Sequence, residues 1–270
     1  MGNHLNLHLL TEKPKATNKV LVAIHGVGQT GDICFLEFSK TVADVYNVFV
    51  LDLYFHGVHA RNEFVSSKNY ISKDQWQSDF EEQLHARGIE SFDILGFSMG
   101  ARFAMASVSL FADRIGTAFL VAPDGIAKRP LYSLVTRFSP FRFVFKKIMA
   151  SEKFLFGLFN LASKLRLISR SLLKFTTQVA TTEANRFTVY NSWVAFRNLN
   201  FDVLEWYQYV KKHSITLYLV VGEFDQLLKP QHVRKLQKLL SESHFLVLPT
   251  GHTGLIRKLG NRISDIKSAP

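Results

Sequence analysis

Residues 94–105 read ILGFSMGARFAM. A short apolar run stops at Gly96, Ser98 stands between Gly96 and Gly100, and an alanine-rich apolar stretch follows. Continuous apolar runs of this length are what a strand buried on both faces of a parallel sheet requires. The stretch therefore reads as a strand, a tight turn and a helix. Glycines at these two places let strand and helix backbones approach where side chains would collide. An ordinary strand-to-helix turn satisfies the same pattern, and so does a turn that presents Ser98 as a nucleophile above the sheet. The rest of the chain has to decide between them.

Similar apolar runs occur at 20–24 (VLVAI), 48–51 (VFVL), 92–95 (FDIL), 118–122 (AFLVA), 215–221 (ITLYLVV) and 244–248 (HFLVL). Between them lie stretches with helical character at 34–46, 74–87, 99–111 and 230–240, the last with Pro230 in its first turn. This alternation predicts an α/β protein built on a doubly wound, mostly parallel sheet with right-handed crossovers. It breaks between 125 and 200, where helical patterns replace strands over far more chain than a crossover needs. We read 1–124 and 201–270 as the core and 125–200 as a helical cap inserted into it.

The 270 residues are 47 % hydrophobic and 20 % charged, the composition of a folded domain. The single cysteine, Cys34, allows no intramolecular disulfide and no metal site of paired thiolates; no cofactor and no metal are expected. The opening MGNHLNLHLLTEKPK has no basic region followed by an apolar one, and no apolar run approaches the roughly 20 residues that span a bilayer. A cytoplasmic location is the expectation, with peripheral membrane contact left open.

The net charge of +11 is concentrated in the cap, where thirteen basic residues face only Glu152 and Glu183. Within it Phe154, Leu158, Leu161, Leu165, Ile168, Leu172 and Phe175 recur at steps of four and three, with Arg166, Arg170 and Lys174 opposite. This predicts one amphipathic basic helix. Its basic face is a solvated surface, a membrane contact or a rim that attracts anionic substrate. No signature of a nucleic-acid-binding motif accompanies the charge, so no nucleic-acid partner is expected.

A serine hydroxyl needs a base to take its proton and an acid to orient that base. Behind a strand–turn–helix nucleophile the chain order is serine, acid, histidine. Asp225 in VVGEFDQLLKP and His252 in LPTGHTGLI each follow a predicted strand and complete that order. Asp124 in VAPDG is the rival acid, its alternative being a turn residue ahead of Gly125. The oxyanion of an acyl-transfer intermediate needs two backbone N–H groups. Met99 supplies one, and Val27 in the glycine-rich loop AIHGVGQTG the other. His25 shapes that loop; His25, Phe97 and Arg102 are the candidate substrate contacts.

With these segments placed, the chain resembles the α/β-hydrolase superfamily through HGVG at 25–28, DLYFHG at 52–57, GFSMG at 96–100, GEFDQLLKP at 222–230 and GHTGLI at 251–256. The resemblance implies an eight-stranded type of core, Ser98, Asp225 and His252 as a catalytic triad, and a cap between the sixth and seventh strands. Two departures stand out. The region before Val20 is short, so a leading antiparallel strand is expected to be missing, and Ala101 replaces a glycine that often follows the turn. A serine at position 98 argues against the epoxide hydrolases and haloalkane dehalogenases, which use aspartate there. The leading expectation is a carboxylic-ester hydrolase working through an acyl-enzyme, with Phe138, Phe141, Phe143, Phe145, Phe154, Phe156 and Phe159 of the cap lining an acyl pocket. The alternative is a lyase or carbon–carbon bond-cleaving enzyme acting on an anionic substrate, similar to the menaquinone-pathway enzyme that eliminates pyruvate; Arg102 and the basic cap motivate it. An exposed helix position paired with a neighbouring acid is the plainer reading of Arg102. A non-catalytic binding protein is a third reading, against which the three intact groups argue.

Overall fold

Buried apolar runs organise the computed structural model, which describes residues 5–16, 18–66, 68–127, 130–165, 173, 177 and 179–268. Among them, β1 (Asn6–Leu9), β2 (Lys19–Ile24), β3 (Tyr46–Asp52), β4 (Phe92–Phe97), β5 (Ile115–Val121), β6 (Thr216–Gly222) and β7 (Phe245–Leu248) form one sheet in the order β1-β3-β2-β4-β5-β6-β7. All neighbours run parallel except β1, which pairs antiparallel to β3 with Asn6 opposite Asp52. One leading antiparallel strand, β1, is present, and the sheet has seven described strands, one fewer than the eight the resemblance implied, in line with the loss of one leading strand expected from the short region before Val20. Its short NLHL segment carries polar residues at alternate positions and lies at the sheet edge, so it lacks the continuous apolar run of the central strands.

Helices α1 (Gly31–Thr41), α2 (Lys73–His85) and α3 (Gly100–Leu110) follow β2, β3 and β4. The side chain of Thr30 caps α1 and that of Ser72 caps α2. Trp76 on α2 stacks on Phe80 and donates Nε1–H to Ser107 Oγ at 3.1 Å, tying α2 to α3. Asp93 is buried within β4, where its carboxylate accepts from Tyr46 OH at 2.5 Å and Thr117 N–H at 2.7 Å. These bonds satisfy a charge that would otherwise be costly in the core.

Between β5 and β6 the described chain forms α4 (Pro130–Arg137), α5 (Ser139–Ala150), α6 (Glu152–Lys164), α7 (Glu183–Ala195) and α8 (Val203–Lys212). Met149, Leu155, Ala180, Val189, Tyr190 and Val194 make a second apolar cluster there, separate from the sheet's core, with Phe145, Phe159, Trp193 and Val27 packed against it. Of the basic helix expected over 154–175, the described part is α6, which ends at Lys164 with Leu165 as its cap; Arg166, Ile168, Arg170, Leu172, Lys174 and Phe175 lie outside the described residues, as do Lys128 and Arg129. The helix expected over 230–240 is broken, into a 3₁₀ turn at Pro230–Val233 and a single α-helical turn, α9 (Arg234–Gln237). Val233 and Leu236 are its buried residues, a spacing of three that a 3₁₀ turn satisfies. The last helix, α10 (Leu255–Ser268), packs on α1.

Candidate active site

At the carboxyl end of β4 the chain turns abruptly into α3. Ser98 sits at the apex with φ of 52°, in the left-handed region that non-glycine residues rarely occupy. Hydrogen bonds hold it there: Ser98 N–H donates to Val121 O at 2.8 Å, and Ser98 O accepts from Asp124 N–H at 3.0 Å and Ala101 N–H at 3.1 Å. A Cβ on Gly96 would stand 2.6 Å from Ala101 Cα, and one on Gly100 would strike the carbonyl oxygens of Ile24 and His25. The two glycines flanking Ser98 are therefore required by close approach, and Ala101 fits as an alanine with no exposed surface.

Two further loops reach the same end of the sheet. After β6, Asp225 is 1 % exposed; its Oδ1 accepts the N–H groups of Leu227 and Leu228, each at 2.8 Å. Its Oδ2 lies 2.7 Å from Nδ1 of His252, which follows β7. A carboxylate only accepts, so Nδ1 carries the proton and Nε2 of neutral His252 is left as the acceptor. The Phe97 ring packs at 5.0 Å from the His252 ring. Asp124, the rival acid, has its Oδ2 2.9 Å from Arg102 Nε. The carboxylate beside His252 is that of Asp225.

The glycine-rich loop after β2 is held from beneath by two histidines. His25 Nδ1–H donates to Gly26 O at 2.7 Å and its Nε2 accepts Leu53 N–H at 3.1 Å. In a trans peptide the N–H of Val27 then points away from that ring. His56 Nδ1–H donates to Tyr54 O at 2.8 Å, and its Nε2 accepts Gly28 N–H at 3.1 Å, fixing the next peptide. His25 is wholly buried and its nitrogens are spent on backbone, so the structure makes it a loop support and brings no substrate surface to it. Among the described residues neither the Val27 nor the Met99 N–H has a protein acceptor, and both residues line the cavity described below.

Burial pushes the His25 imidazole down to about 4 and, together with the neighbouring His25, pushes His56 down to about 3. Both are neutral in the fold. Their contribution to stability is present above pH 6.5 and is lost as pH falls toward those values, because the unfolded chain takes up protons first. Between pH 6.5 and 4.5 each histidine costs roughly 2 kcal/mol. Thermal unfolding should show the Tm falling by roughly 10 °C over this interval, and falling less steeply in His56→Gln; an equal slope in both proteins would count against the histidines as the cause.

Ser98, His252, Val27 and Met99 open on a cavity of about 290 Å³ whose remaining wall includes Leu131, Tyr132, Ser192, Trp193, Phe196, Leu227 and Leu228. Arg102 and Asp124 also line it. Arg102 is buried, not exposed: besides Asp124 it donates Nη1–H to Leu199 O at 3.3 Å and lies over the Tyr132 ring at 4.6 Å. The seven phenylalanines expected to form an acyl pocket do not line this cavity. Phe138, Phe141, Phe143 and Phe154 are exposed, and Phe145 and Phe159 pack in the second cluster. The aliphatic and aromatic wall comes instead from the loop after β6 and from α4 and α7, and in those two helices no short motif announces it.

A profile of the α/β hydrolase fold matches residues 19–259. The chain belongs to the α/β hydrolase family. Esterase YbfF of Escherichia coli (strain K12) is 29 % identical to this hydrolase over 121 residues, which is 44 % of either chain. The match thus spans less than half of that curated relative. Among solved structures, a hydrolase from Pseudomonas aeruginosa PA01 superposes with a TM-score of 0.66 at 14 % identity, covering 98 % of this chain and 94 % of the other. A thermophilic esterase from Thermogutta terrifontis gives 0.62 at 16 % identity, covering 97 % and 91 %. The meta-cleavage product hydrolase CumD of Pseudomonas fluorescens IP01 gives 0.61 at 17 % identity, covering 96 % and 92 %. At such identities these likenesses establish the fold. None of the described helices is long and apolar enough to cross a membrane.

Proposed function

We propose that this hydrolase cleaves neutral carboxylic esters of short to medium acyl length through an acyl-enzyme on Ser98. The observation that carries the reading is the 2.7 Å Asp225–His252 hydrogen bond, whose partners share the end of the sheet with a serine held at φ of 52°. In the first half-reaction His252 Nε2 takes the Ser98 proton as Oγ attacks the ester carbonyl, and the Val27 and Met99 N–H groups receive the developing oxyanion. The protonated imidazole then gives its proton to the leaving alcohol. In the second, water attacks the acyl-enzyme with His252 again as base, and Ser98 recovers its proton. Asp225 holds the imidazole in the tautomer both steps need.

A neutral substrate is favoured by the charge in the cavity. Arg102 is already compensated by Asp124 at 2.9 Å, so the wall offers an ion pair and no spare positive charge. The lyase reading needs Arg102 for a substrate carboxylate, and this pairing weighs against it. Hydrolysis of p-nitrophenyl butyrate is expected to exceed that of the p-nitrophenyl monoester of succinic acid by about 10-fold or more in kcat/KM, the scale on which an unpaired charge in a cavity is penalised. Little change is expected between 50 and 500 mM NaCl, since no long-range attraction is invoked. A preference for the carboxylated ester that fades with salt would overturn the neutral-substrate reading.

A further inference from the structure

The inserted helices bury one face and leave the other bare. The inner residues Phe145, Met149, Leu155 and Phe159 join the second apolar cluster. On the outside of α6, Phe154 (57 % exposed), Leu158 (43 %) and Leu161 (54 %) step by four and three and continue into Leu165 (60 %) at its cap, a single apolar stripe along the helix. On α5, Phe143 and Val144 are 62 % and 51 % exposed. Helices that sit against water alone do not repeat large apolar residues on the solvent side; such a patch marks a surface that meets another phase or molecule.

The charges around the patch have one sign. Lys146, Lys147, Lys153 and Lys164 are exposed on the same two helices. Lys147 Nζ lies 5.5 Å from the Phe143 ring, placing cation and aromatic side by side. The one acid on α5 and α6, Glu152, lies 3.6 Å from Arg186 Nη1 and is compensated. In the sequence the excess continues beyond α6 with Arg166, Arg170 and Lys174. Exposed phenylalanine and leucine flanked by lysine, with no free acid among them, is the composition of a helix that lies in a bilayer interface on anionic headgroups. A protein partner of equal apolarity would not call for so uniform a charge.

We propose that the outer face of α5 and α6 docks peripherally on anionic lipid membranes, Phe154, Leu158 and Leu161 entering the headgroup layer and the lysines meeting the headgroups. Leu131, on the wall of the cavity, is itself 71 % exposed and belongs to α4, which packs against α5. The proposal does not depend on the ester-hydrolase reading.

The test is co-sedimentation of the full chain with vesicles of phosphatidylglycerol and phosphatidylcholine in equal parts, against vesicles of phosphatidylcholine alone. Binding is expected only to the anionic vesicles and should drop when NaCl is raised to 500 mM. Lys146→Glu combined with Lys147→Glu should weaken it by ~30-fold or more, and Phe154→Ser with Leu158→Ser should weaken it comparably. Both variants should keep the wild-type circular-dichroism spectrum and a Tm within a few degrees of wild type, which shows that they fold. Binding that is absent, equal on both vesicles, or untouched by the folded variants overturns the proposal. So does concentration-dependent self-association without vesicle binding that the Phe154→Ser pair abolishes, since a second copy would then be the occupant.

Discussion

Ser98→Ala is expected to lower kcat/KM on p-nitrophenyl esters by about 10³-fold or more while leaving the fold in place. Removing Oγ removes the only atom the proposed mechanism bonds to the acyl group, and His252 then has no hydroxyl to activate. What survives comes from the oxyanion donors and from binding, which alone still assist attack by water. The substitution is structurally mild. Alanine has the same Cβ as serine at φ of 52°, and the bonds that fix this residue, to Val121 O and from Asp124 and Ala101 N–H, all belong to its backbone. The Tm should therefore stay within a few degrees of wild type, separating lost chemistry from lost structure. Burst kinetics supply an independent check: the wild type should release p-nitrophenol in a burst stoichiometric with enzyme wherever deacylation is slow, and the variant should show none. Equal turnover by the two proteins would remove Ser98 from the mechanism.

Much of the sheet is legible in the sequence because its central strands are buried on both faces. β2 to β6 announce themselves as continuous apolar runs, and the structure places each within three residues of the expected bounds. The edge strand β1 has no such run, since its pairing with β3 is a matter of backbone. Ser98, Asp225 and His252 each follow a strand of the sheet, β4, β6 and β7, so the parallel arrangement brings all three to one end. The cavity's far wall was not readable. Leu131, Tyr132, Ser192 and Trp193 belong to α4 and α7, whose periodicity says which face is buried and nothing about what it faces. Arg102 shows the same limit, because its partner Asp124 comes from the end of the neighbouring strand, 22 residues on. The ionic surroundings that decide between a neutral and an anionic substrate exist only in the folded chain.

The acid is where sequence left two candidates, and one pair of substitutions separates them. Asp225→Asn keeps a carbonyl oxygen for the Leu227 and Leu228 N–H groups, so the loop after β6 retains its bonds. It sets an NH₂ group against His252 Nδ1, which must then accept. The ring proton moves to Nε2, where it blocks removal of the Ser98 proton. A loss of about 10⁴-fold in kcat with KM little changed is expected, the size of effect that a wrong imidazole tautomer produces. Asp124→Asn should act the other way round. It leaves the His252 tautomer alone but strips the buried Arg102 of its charge partner, costing roughly 3 kcal/mol of stability with kcat reduced less than 10-fold at a temperature where the variant is folded. If Asp124→Asn instead abolished turnover and Asp225→Asn only lowered the Tm, the acid would have to be reassigned, and the 2.7 Å contact between Asp225 and His252 would be a structural bond of the loops after β6 and β7.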